Sequence, residues 1–154
     1  MTITSPLPSD AQKTTGEALQ ASLVDLIDLS LLAKQAHWNV VGPLFTSVHE
    51  HLDTVVDLAR RYSDEVAERA AAIGVNPDGR AATVSSETVL QQLPPAWTAD
   101  ADVVRAVVAA LDTLAARFRE RVLATEEADP VTQDLLIEVT DAIEHQRWMF
   151  QAQT

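Results

Sequence analysis

The sequence predicts an all-α fold, a four-helix bundle with one long middle connection. Three observations predict it. Apolar residues recur at three- and four-residue spacing through four long segments. Glycine and proline fall between those segments or at their starts. No alternating strand pattern and no internal repeat appears.

The elements follow in chain order. Residues 1–14 are polar, contain Pro6 and Pro8, and read as a flexible tail; residues 15–153 read as one domain. From Gly16 the pattern turns helical, with Leu19, Leu23, Leu26, Ile27 and Ala33 on one stripe. Gly42 and Pro43 stop that helix. A second helix is expected from about Ser47 to Ile73, with Leu52, Val55, Ala59, Tyr62, Val66 and Ala70 inward, and Gly74 follows it as a C′ residue. Residues 75–97 form a long connection, in which 85–93 fits a short helix capped by serine. A third helix starts near Thr98 or Asp100 and ends around 125–130. A fourth runs from about Asp129, with Pro130 in its first turn. Short links make each pair antiparallel, and the middle connection is long enough to cross the bundle, as in ferritin-type topologies.

Composition narrows the function. The chain has 154 residues, enough to bury a core without staples. It has no Cys, which excludes disulfides, thiolate metal sites and cysteine nucleophiles. Eleven Lys and Arg stand against 23 Asp and Glu, a net charge of −12. That balance disfavours phosphate contacts and favours cations. No run has the length of a membrane span and the first residues do not resemble a secretory signal, so a cytoplasmic protein is expected.

The second helix carries the chemistry. Counted at about 100° per residue from His49, Asp53, Asp57, Asp64 and Glu68 lie within one stripe beside the apolar face. Such a stripe is also what a solvated helix face looks like. Four carboxylates on one stripe repel unless cations lie near, and an imidazole beside carboxylates suits Fe or Zn better than Ca. His49 and Asp53 are one i, i+4 pair; Asp64 and Glu68 are another. About 16 Å of helix separates Asp53 from Asp64, and metal ligands must lie within about 2 Å of the ion. One chain cannot bring both pairs to one metal. Two copies related by a two-fold axis near Leu58–Ala59 can, and they form two equivalent sites. His37, on the first helix and across a short turn, can approach His49. His51 lies about 200° around from His49 and reads as a non-ligand; His145 reads as structural or surface. Glu-x-x-His, the usual intramolecular di-iron signature, is absent.

The stretch AKQAHWNVVGPLFTSVHEHLDTVVDLARRYSDEVAERAAAIG (33–74) closely resembles the Dps family of ferritin-like mini-ferritins, and TQDLLIEVTDAIEHQRWMFQAQ resembles the family's last helix. The resemblance covers about residues 16–152. It implies a ferritin-like four-helix bundle assembling as a homododecamer, a hollow twelve-subunit shell. It implies oxidation of Fe(II) by hydrogen peroxide (or O2) and storage of the ferric mineral, with iron as the metal. The site would lie at the two-fold dimer interface, with His37, His49 and Asp53 from one chain and Asp64 and Glu68 from the other. Trp38 matches a candidate electron donor. Glu50 and Asp57 match cavity-facing, mineral-nucleating positions. Glu126, Glu127, Asp129 and Asp134 match acidic pores through which iron passes, although helix-end solvation explains them equally well. The chain departs from the family in its tails, which carry few cations, so DNA binding is expected to be weak or absent. Two other readings stay open: a nucleoid-associated DNA-protecting structural protein, and a helical oligomer holding a non-redox metal such as Zn at the same ligands.

Overall fold

The computed structural model describes residues 3–153; Met1 and Thr2, part of the expected tail, and Thr154 lie outside the described residues. Helix α1 spans Ser9–Asn39 and so begins about two turns ahead of Gly16. Its first turns are polar because their contacts are polar. The Gln12 amide donates to the carbonyls of Ile73 (2.9 Å) and Gly74 (3.3 Å), satisfying groups that a helix end leaves unpaired. Apolar periodicity does not register such a contact.

After α1 come strand β1 (Val40–Val41) and helix α2 (Phe45–Ala72). Gly74 follows α2 with φ +76°, the C′ conformation its position predicts. The short helix is α3, Ala81–Glu87. This corrects the helix expected over 85–93: no serine caps it. Asp78 organises its start, accepting from the Arg80 backbone N–H (3.1 Å) and the Thr83 hydroxyl (2.8 Å). Beyond it, the Thr88 hydroxyl and the Gln92 amide both donate to Asp28 on α1. Those bonds draw 88–92 out of helical geometry and strap it to the bundle.

Strand β2 (Thr98–Ala99) then pairs in parallel with β1, Val40 opposite Thr98 and Val41 opposite Ala99. Two residues per strand is too short for an alternation to be read. Helix α4 (Asp100–Thr125) and helix α5 (Pro130–Gln151) complete the bundle. Asp129 caps α5, accepting from the Val131 N–H at 3.3 Å, with Pro130 next in the chain as expected.

Helix α1 packs chiefly on α2 and α4 chiefly on α5, so the two hairpins are joined by the crossover. The core between them includes Leu19, Leu26, Leu29, Leu52, Tyr62, Leu111, Leu114, Phe118, Leu136 and Phe150. Burying one such leucine contributes about 1.5–3 kcal/mol. A buried charge cluster lies against this apolar layer. Asp25 is fully buried and accepts from Arg117 (2.9 Å) and Arg121 (2.6 Å) across the α1–α4 seam. Removing either arginine would leave a buried carboxylate short of partners, which is costly. Among the described residues, no helix is long and apolar enough to cross a membrane.

Candidate metal centre

The site is built at the α1–α2 corner. His37 stands in the last turn of α1 and is buried, while His49 stands in the second turn of α2 and is half-buried. The rings stack with centroids 3.6 Å apart. The Nδ1 of His37 lies 2.9 Å from the His49 carbonyl, and the Nδ1 of His49 lies 2.9 Å from the His37 carbonyl. A carbonyl only accepts, so both Nδ1 atoms carry the proton. Both Nε2 atoms are left with a free lone pair, which is how a metal-binding histidine is usually oriented.

Asp53, one turn further along α2, is half-exposed. Its Oδ1 lies 3.3 Å from His37 Nδ1 and accepts from the Lys34 ammonium at 2.5 Å. The Lys34 hydrogen bond prevails over partial desolvation and holds the Asp53 carboxyl below its ordinary range. Lys34 was not singled out in the sequence. The signal was available: it is one of two lysines in the chain and precedes His37 by three, on the same helix face.

Asp64 and Glu68 are exposed and lie further along α2, away from His49 and Asp53. Among the described residues of one chain, no three His, Asp or Glu side chains are grouped so that they could hold a metal ion. Glu50 and Asp57 are exposed on α2, and Trp38 is exposed beside His37. Glu126, Glu127 and Asp134 are exposed where α4 gives way to α5. Asp129 differs from these three. It is buried, and its Oδ2 accepts from Arg69 (2.5 Å) and Thr132 (2.6 Å). That carboxylate is committed to a helix cap and an ion pair, not to solvent.

The other two histidines are occupied. His51 stacks on Phe150 (centroids 4.1 Å apart), donates from Nε2 to the Gln146 side chain at 2.9 Å and accepts at Nδ1 from Gln153 at 3.0 Å. His145 meets Trp148 edge-on.

The model of the ferritin-like domain family matches residues 16–154. DNA protection during starvation protein 2 of Deinococcus radiodurans is 37% identical over 140 residues, covering 91% of this chain. This chain belongs to the Dps family. It spans 58% of the length of that Deinococcus relative. Two solved Dps structures share its fold. Mycobacterium smegmatis Dps in its tetragonal form has a TM-score of 0.93 at 31% identity, covering 99% of this chain and 93% of the other. Dps from Microbacterium arborescens in its high iron form has a TM-score of 0.92 at 29% identity, covering 97% of each. The likeness extends over this Dps chain's bundle and crossover together, so the ferritin-like fold expected from the helix pattern is confirmed.

Proposed function

We propose that this Dps chain is an iron-storing ferroxidase acting in the cytoplasm. It oxidises Fe(II) with hydrogen peroxide, or with O2, at sites shared between two copies. It stores the ferric product inside a homododecameric shell, and so limits oxidative damage. One observation carries the reading: the locked His37–His49 pair, whose Nε2 atoms are left as ligands at a site that one chain does not close. Along α2, Asp64 lies about 16 Å and Glu68 about 22 Å beyond Asp53, and a two-fold axis near Leu58–Ala59 carries a second copy's pair to the first copy's histidines. The two-fold repeats the contact, so each dimer holds two sites.

The donor set suits the substrate. Imidazole nitrogens bind Fe(II), and carboxylates stabilise Fe(III) once it forms. Two Fe(II) ions give one electron each to one hydrogen peroxide. The O–O bond breaks, two protons are taken up, and two waters leave without release of a hydroxyl radical. Asp53 joins the ligands when its Lys34 contact is exchanged for the metal. Trp38, exposed beside His37, is placed to supply an electron when only one Fe(II) is bound. Glu50 and Asp57 are the carboxylates we assign to mineral nucleation, and Glu126, Glu127 and Asp134 those we assign to the route of entering iron.

The name of the Deinococcus relative speaks of DNA protection. In this chain we read such protection as removal of iron and peroxide, with DNA binding weak or absent, because a net charge of −12 repels phosphate. Sizing followed by anaerobic Fe(II) and then peroxide tests the whole reading. Chains of 16.7 kDa should elute as a particle of about 200 kDa and show fast ferric absorbance that His49→Ala and Asp64→Ala each abolish. A monomer, or oxidation unchanged in either variant, refutes the shared site. Zn2+ binding without peroxide consumption would favour the non-redox reading.

A further inference from the structure

The turn between α1 and α2 is held from a distance. Asp100, the first residue of α4, is buried. Its Oδ2 accepts from the Leu44 backbone N–H at 2.6 Å, across 56 residues of sequence, while its Oδ1 accepts from the Ala101 N–H at 2.8 Å. The carboxylate also presses on Gly42. Gly42 has φ +137°, and a Cβ there would lie 2.4 Å from Asp100 Oδ2. Glycine is needed at this point both for its backbone angle and for the space that the carboxylate occupies. The paired strands β1 and β2 tie down the same two segments. The negative charge itself is held by N–H donors and the positive end of α4.

This anchored turn lies between the two histidines. His37 comes three residues before β1, and His49 follows Leu44 by five. Each Nδ1 is bonded to the other residue's carbonyl, so a small slide of α1 against α2 breaks both bonds at once and frees both tautomers. We propose that Asp100 is a positioning residue for the His37–His49 pair. By gripping Leu44 and Gly42 it sets the register of the α1–α2 hairpin, and through it the direction in which both Nε2 atoms present themselves to a metal. This rests on the metal-site reading above, but concerns a residue that touches no metal.

The test uses the assembled protein and Co(II) without oxidant. Asp100→Ser keeps an oxygen for the Ala101 N–H but is too short to reach Leu44, so it separates starting α4 from holding the turn. Asp100→Asn keeps the length and an acceptor for Leu44. Gly42→Ala attacks the same contact from the other side. We expect Asp100→Ser and Gly42→Ala to weaken Co(II) binding by roughly tenfold or more, as loss of a ligand-orienting partner does, and to change the Co(II) visible spectrum. Asp100→Asn should restore binding to within about threefold of the parent. Without metal, amide hydrogen exchange over residues 37–49 should quicken in Asp100→Ser and stay near parental in Asp100→Asn. Co(II) affinity, spectrum and exchange in Asp100→Ser all matching the parent would overturn the role of Asp100 while leaving the metal site standing. Parental Co(II) binding that is indifferent to His49→Ala would overturn the metal-site reading and this proposal with it. Should Asp100→Ser fail to assemble, Asp100→Asn and Gly42→Ala decide: equal Co(II) binding in those two refutes the proposal.

Discussion

At the residue scale, the site is defined by which atoms are already engaged. The two histidines are held as Nδ1–H tautomers by backbone carbonyls, so the ligand role we propose for them rests on main-chain geometry. Asp53 is engaged too, by Lys34, and that contact competes with any metal cation. Lys34→Met should therefore tighten Co(II) binding by roughly two- to fivefold, the modest effect expected of a half-exposed pair; calorimetric titration measures it. An unchanged or weaker affinity would mean that the ammonium does not compete. His49→Ala should lower the rate of peroxide-driven oxidation by about a hundredfold or more, the upper end of what losing even an outer-shell partner of a ligand costs, with the particle still assembled. Stopped-flow ferric absorbance reads that loss directly.

At the element scale, the joint between α4 and α5 depends on Asp129. It caps α5, bonds Thr132 and pairs with Arg69 of α2. Asp129→Ala should cost about 1–3 kcal/mol, combining a lost cap with a stranded partner, as read from chemical denaturation. The pH dependence has a definite sign. Burial alone would raise the Asp129 carboxyl, but the bonds from Thr132 and Arg69 prevail and hold it below its ordinary value of 3.8. Its stabilisation is present above that value and is lost as pH falls through the lower folded one. Denaturation midpoints of parent and Asp129→Asn should therefore converge below about pH 4. A gap that widens on acidification would contradict the assignment.

At the scale of the whole molecule, charge and core make separate contributions. The proposed shell of about twelve chains at −12 would carry a strongly negative field and draw Fe(II) inward. Raising ionic strength from about 0.01 to about 0.1 M shortens the screening length from about 30 to about 10 Å. The initial rate of iron uptake should fall severalfold, whereas oxidation at saturating iron should change little. The core holds each subunit together independently of that field. Leu52→Ala, at a fully buried position between the helices, should cost about 2–5 kcal/mol and lower Tm without moving the oxidation rate per folded shell.

Period and spacing by themselves determined the four helices, the crossover, the C′ glycine after α2 and the proline-led start of α5, because each is local chemistry written within a few residues. They also determined that the His49–Asp53 and Asp64–Glu68 pairs cannot serve one metal within a chain, since rise per residue is a constant of the helix. Tertiary structure alone decided the rest. The early start of α1 depends on Gln12 reaching the end of α2, and the placement of α3 depends on Asp28 pulling Thr88 and Gln92 away. Asp129 changed from a candidate pore carboxylate to a buried cap because Arg69, sixty residues earlier, arrives beside it. Lys34 on Asp53 and Asp100 on the Gly42 turn are likewise contacts between distant segments. A hydrogen bond between such segments leaves no periodic trace in either of them, so only folding brings its two halves into view.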